Sequence, residues 1–175
     1  MDELKGQMCM FCGKKELVLM QDELDIPYFG KVLVFSMNCG NCSFSKSDVE
    51  SMSIKDPCRI TFEIQSKKDL DVRVVKSSTA SVKIPGLKID VRPGPASNGY
   101  VSNIEGLLNR FKRVIEQRRD SSDDETERKN AKNLLKRLWK VECGDVPLTI
   151  VIEDPTGNSG IISEKAKVER MKGKK

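Results

Sequence analysis

Cys9-Met-Phe-Cys12 and Cys39-Gly-Asn-Cys42, with 26 residues between the two pairs, organise the reading of this chain. Two residues between paired cysteines let both sulfurs of a tight turn reach one ion at about 2.3 Å. Four thiolates then close a tetrahedron with no position left for water. Cys9, Cys12, Cys39 and Cys42 are therefore predicted to hold one structural zinc ion, although a four-thiolate shell also accepts iron. In small zinc modules such binding contributes about 10–16 kcal/mol of folding energy. Gly13 and Gly40 are expected at the places where the knuckles need small residues. A redox pair normally opens a helix in a βαβ setting, whereas Cys9 and Cys12 precede a strand-like segment. Disulfides need an oxidising compartment. The amino terminus carries Asp2 and Glu3 and lacks a basic stretch followed by an apolar one, so the chain reads as cytoplasmic. Cys58 and Cys143 read as small apolar residues and receive no role.

Outward from the cysteines, residues 1–58 form a zinc-ribbon module. Glu16–Gln21 and Lys31–Met37 are its strand segments, and Asp25-Ile-Pro-Tyr-Phe-Gly30 is the turn that makes them antiparallel. Ile26, Pro27, Tyr28 and Phe29 suit either a docking surface or packing onto the next module. Residues 59–162 read as a β domain: Ile60, Phe62 and Ile64 alternate with polar neighbours, and strands are expected at Leu70–Lys76, Thr79–Ile84 and Leu87–Val91. Short strands at this spacing suggest a sandwich or barrel. A helical hairpin interrupts the domain at about 102–144. Ile104, Leu107, Leu108, Phe111, Val114 and Ile115 mark one helix face, and Ala131, Leu134, Leu135 and Leu138 the other. Ser102 with Glu105, and Ser122 with Glu125, read as capping boxes, and Gly144 as the stop. Strand pattern returns at Leu148, Ile150 and Ile152, Asp154-Pro-Thr-Gly157 reads as a turn, and Ile161-Ile162 begins a last strand. Residues 163–175 are expected to be a helical or frayed basic tail. The fold class is thus mainly β with inserted helices (α+β).

Composition narrows the function. The chain is 38% hydrophobic and 33% charged, with a formal net charge of +5, which suits a folded domain. No apolar run approaches the roughly 20 residues of a membrane helix. The charge is unevenly spread: residues 1–58 sum to −3, so the zinc region is acidic. Lys132, Lys136, Arg137 and Lys140 suit a solvated helix face better than a nucleic-acid surface, and Trp139 reads as core edge. The chain has no histidine, which removes Ser-His and Cys-His catalysis and the commonest general base. Gly94, Gly99 and Gly106 lack the Gly-Lys-Ser/Thr of a phosphate loop. An enzyme is not expected.

The finger with its Ile26-Pro-Tyr-Phe-Gly30 turn, the segment Ser102-Asn-Ile-Glu-Gly-Leu-Leu108 and the turn Asp154-Pro-Thr-Gly-Asn-Ser159 together resemble the ZPR-type zinc-finger proteins, in the single-module form found in archaea. The resemblance spans roughly residues 8–162. It implies a four-cysteine zinc ribbon joined to a domain similar to a double-stranded β-helix with a helical hairpin inserted. It also implies a protein partner, translation elongation factor one-alpha, for which the chain would be an adaptor or folding helper. A different class, a nucleic-acid-binding zinc ribbon of the transcription or translation machinery, is the alternative.

Overall fold

The computed structural model describes residues 2–26, 30–51 and 55–171. Of the suggested docking segment, Pro27, Tyr28 and Phe29 lie outside the described residues. The first unit is an antiparallel sheet of β1 (Asp2–Gln7), β2 (Leu17–Ile26), β3 (Gly30–Cys39) and β4 (Ser45–Ser51), in that order. The β2 and β3 register runs from Leu17 opposite Cys39 to Ile26 opposite Gly30. Both strands are longer than their apolar segments, because the ladder continues through polar residues. The flanking strands β1 and β4 carry no hydrophobic alternation: all six residues of β1 are exposed. Backbone pairing, not side-chain burial, holds β1, while β4 adds Val49 to the contact with the second unit.

The second unit has two sheets. One is built from β5 (Cys58–Ile64), β7 (Ser81–Ile84), β8 (Ile89–Val91), β10 (Leu148–Asp154) and β12 (Lys167–Arg170), ordered β12-β5-β10-β7-β8. The other contains β6 (Arg73–Lys76), β9 (Tyr100–Asn103) and β11 (Gly160–Ile161), ordered β11-β6-β9. Between β9 and β10 the helices α1 (Ile104–Ser121) and α2 (Glu125–Cys143) form the expected hairpin. Alternation places Ile60, Phe62 and Ile64 against Ile150, Ile152, Val82 and Ile84, and Leu107, Leu108 and Leu138 close the same core. Each fully buried side chain of this kind contributes about 1.5–3 kcal/mol.

Several local expectations are corrected. The strand expected over Leu70–Lys76 is split, since Lys67–Asp71 is a 3-10 turn. Asp69 accepts from the amides of Gln65 and Ser66 at 2.9 and 3.0 Å and so bends the chain. Similarly, Pro85–Leu87 is a 3-10 turn before β8. Helix α1 is capped by Asn103, whose Oδ1 accepts from the Gly106 amide at 2.8 Å, while Ser102 is still in β9. Helix α2 is capped by Asp124, accepting from Thr126 N at 2.7 Å, and Ser122 ends α1 instead. Gly144 terminates α2 at φ 82°, as its position suggested. Val114 and Trp139 are exposed, at 65% and 58%. Val114 lines the mouth of a cavity, so its place on the apolar stripe does not bury it. Lys167–Arg170, expected to be a helical or frayed tail, pairs as β12 with the edge of β5, Lys167 opposite Thr61 and Arg170 opposite Cys58.

The two units meet along a small apolar seam. Val32 of β3 and Val75 of β6 are fully buried there, with Val34, Val49 and Ile162 packed around them.

Candidate metal centre

Each cysteine pair sits in a tight backbone loop. In the first, the Gly13 amide donates to Cys9 O at 2.9 Å and the Cys9 amide to Lys14 O at 2.9 Å. In the second, the Ser43 amide donates to Cys39 O at 3.1 Å and the Cys39 amide to Phe44 O at 2.8 Å. The two loops are copies of one geometry. The residue after the second cysteine is left-handed in both, Gly13 at φ 67° and Ser43 at φ 56°. Gly40, expected where the second knuckle needs a small residue, follows the first cysteine of its pair and does not share that position. Its φ is not positive, and its amide instead donates to Glu16 O at 3.0 Å, tying the second knuckle to the start of β2.

The loops bring four sulfurs together. Cys9 Sγ lies 3.7 Å from Cys42 Sγ, and Cys12 Sγ lies 3.7 Å from Cys39 Sγ. All four lie within 4.8 Å of one another. A tetrahedron with metal–sulfur bonds of about 2.3 Å has edges of about 3.8 Å. The donor set therefore fits one structural zinc ion. Cys58 and Cys143 stand outside this cluster; burial pushes the Cys58 thiol up.

Charge gives the same answer. The Lys14 amide directed at the Cys12 sulfur holds that thiol down to about 6, and the amides of Cys12 and Phe11 lower Cys9. The Phe44 amide also favours the Cys42 thiolate, but burial and then the crowding of Cys39, Cys12 and Cys9 push Cys42 up to about 12. Four negative sulfurs this close repel one another, and a divalent cation is what allows all of them to ionise.

Beneath the knuckles, Cys9, Leu17 and Cys39 are buried with Leu19, Met37 and Phe44 against them. Above, Met8, Met10 and Phe11 are 65%, 74% and 70% exposed. Phe11 leans on Phe44 with ring centroids 4.5 Å apart. This apolar rim was not singled out from the sequence, where Met8 to Cys12 is only an apolar run far too short for a membrane helix.

A second polar feature lies in the β domain, where the sequence suggested only a turn. Asp154 is fully buried. Its carboxylate accepts from the hydroxyls of Ser159 (2.6 Å), Ser77 (2.8 Å), Thr156 (2.8 Å) and Thr79 (3.0 Å), and from the amides of Thr156 and Asn158 (2.9 Å each). Burial alone would raise its pKa, but these donors hold it below the usual carboxylate value. The network fastens the turn after β10 to the end of β6, and it is an anchor for the fold.

Comparison with known proteins agrees with both units. Residues 4–55 match the ZPR1 zinc-finger domain, and residues 68–175 match the ZPR1 jelly-roll domain. The chain is 38% identical to a ZPR1-like protein of Methanocaldococcus jannaschii over 165 residues, covering 94% of this chain and 83% of that protein. A ZPR1-like protein of Pyrococcus horikoshii is also 38% identical, over 97% of this chain and 78% of its own length. The zinc finger chaperone zpr1 of Schizosaccharomyces pombe is 32% identical over 88% of this chain, which spans only 34% of that longer relative. Among the described residues, no helix is long and apolar enough to cross a membrane.

Proposed function

The chain belongs to the ZPR1 zinc-finger family, and we propose that it is a protein-binding factor whose ribbon is braced by zinc on Cys9, Cys12, Cys39 and Cys42. In this reading it acts in the cytoplasm as an adaptor or folding helper for translation elongation factor one-alpha. The observation that carries the reading is the exposed rim of Met8, Met10 and Phe11 on a metal-braced knuckle. Large apolar side chains held in water by a rigid support are the composition of an interface centre, in which Met and aromatics are enriched. The name of the fission-yeast relative, a zinc finger chaperone, points the same way. A nucleic-acid reading fits less well, because phosphate binding needs clustered cations and residues 1–58 sum to −3.

The test is retention of the cognate elongation factor on the immobilised full chain, with and without guanine nucleotide. Retention is expected, with marked loss in the Met10→Glu/Phe11→Glu variant. No retention in any nucleotide state overturns the partner. Tight, salt-sensitive binding of labelled RNA or DNA would favour the nucleic-acid class instead.

A further inference from the structure

Away from the four cysteines, β4, β6, β7, β8, β9, α1 and the loop over residues 92–99 line an open cavity of about 440 Å³. Its floor is apolar, formed by Leu107 and Phe111 of α1 with Val82. Its walls carry Lys76, Arg92 and Arg110, and no Asp or Glu is among its described lining residues.

The three cations differ in setting. Lys76 is only 7% exposed. Its Nζ donates to the Ser77 carbonyl at 2.9 Å and stands 5.7 Å from the Tyr100 ring centroid, and among the described residues it forms no ion pair. Asp154 and Asp48 favour its charge from a distance, but their hydrogen bonds go to other groups: Asp154 holds its six donors, and Asp48 accepts from the amides of Val49 and Gly99. Arg110 lies over the same aromatic ring, its guanidinium carbon 4.0 Å from the Tyr100 centroid. Arg92 meets Asp90 at 3.5 Å on the open rim. A buried ammonium with a neutral carbonyl as its hydrogen-bond acceptor is costly, and an incoming anion offsets that cost.

We propose that this cavity is a docking pocket for an acidic segment of a partner polypeptide, with a carboxylate directed at Lys76 and Arg110 and a neighbouring apolar side chain on Leu107 and Phe111. The volume lies within the range that encloses small ligands and accommodates a couple of side chains, and the charge is complementary to Asp or Glu. The pairing of cations with a deep apolar floor favours an acid carried on an apolar body over a bare inorganic anion. The inference deepens the reading of the chain as a protein-binding factor and rests on it.

The experiment uses the zinc-loaded full chain and three fluorescein-labelled octapeptides, alternating Glu-Phe, Gln-Phe and Lys-Phe, followed by fluorescence anisotropy. The Glu-Phe peptide is expected to bind at least about tenfold more tightly than the other two. Lys76→Met and Arg110→Gln should each weaken it about tenfold, and Arg92→Gln by a smaller factor. Arg110 is exposed, so Arg110→Gln reads the site even where Lys76→Met disturbs folding, and an unchanged melting temperature certifies each variant. Equal binding of Gln-Phe, indifference to both substitutions, or binding of inorganic phosphate as tight as that of the peptide overturns the proposal. Retention of the elongation factor with no peptide binding removes the pocket alone. Peptide binding in the expected pattern without elongation-factor retention keeps the pocket and removes that named partner.

Discussion

Asp48, on the last strand of the ribbon, accepts the backbone N–H of Gly99 at 2.7 Å through the same Oδ1 that accepts the amide of Val49 at 2.8 Å. This pair stitches the zinc unit to the β domain beside the Val32 and Val75 contact. It explains why residue 99 is glycine: a Cβ there would run into the Val49 carbonyl oxygen and crowd that of Lys76. Gly99→Ala is expected to destabilise by about 3 kcal/mol, the upper end of overpacking costs. Gly94→Ala, where a Cβ meets nothing within 4 Å, should stay within about 0.5 kcal/mol. Urea unfolding of the two variants against the parent measures the difference.

Replacing Asp154 strands the amides and hydroxyls that converge on it. Asp154→Ala is expected to cost about 3–5 kcal/mol, or to prevent folding, since buried donors lose a charged acceptor. Asp154→Asn should recover little, because an amide NH₂ faces donors. Thermal unfolding reads both, and a cost under about 1 kcal/mol would contradict the network.

Stability should fall in acid partly through Asp69. The Lys165 ammonium at 2.9 Å, with the Gln65 and Ser66 amides, holds its carboxyl down to about 2. The folded pKa is below the unfolded one of about 3.9, so the contribution is present above pH 4 and is lost as pH falls through the folded value. Asp69→Asn should therefore be less stable than the parent at pH 7, with the gap closing between about pH 4 and 2. A gap that is constant across that interval would show that the ionised carboxylate contributes nothing.

The twin knuckles share one left-handed backbone position and fill it with different residues. Ser43 occupies the left-handed region that glycine occupies at position 13, at a cost of about 1 kcal/mol for an L residue. Ser43→Gly is expected to raise stability by up to about that amount, and Gly13→Ala to lower it similarly. Competition with a chelator should show the same order in zinc retention.

Single Cys→Ser changes at positions 9, 12, 39 and 42 should each lower the zinc content of the purified chain well below one per molecule, while Cys58→Ser and Cys143→Ser leave it at one. Strong chelation should unfold the ribbon, since among the described residues the buried cluster beneath the knuckles is just Cys9, Leu17 and Cys39. Metal analysis and circular dichroism check these outcomes.

Much of this architecture is written in local pattern. The spacing of Cys9, Cys12, Cys39 and Cys42 indicated a metal centre because two knuckles need nothing beyond their own short loops. Alternation at Ile60–Ile64 and Leu148–Ile152, and three-and-four spacing from Ile104 to Phe111, marked strands and a helix because one face of each must leave water. What the fold alone decided depends on distant partners. Strand β12 has a single apolar residue, Val168, and it is exposed; its pairing with β5 is a backbone event with no side-chain signature. Asp154 becomes a buried anchor only because Ser77 and Thr79 arrive from another part of the chain. Lys76, an ordinary lysine in sequence, acquires its meaning where β6, β9 and α1 close around it, since the energy of a charge is set by whatever surrounds it.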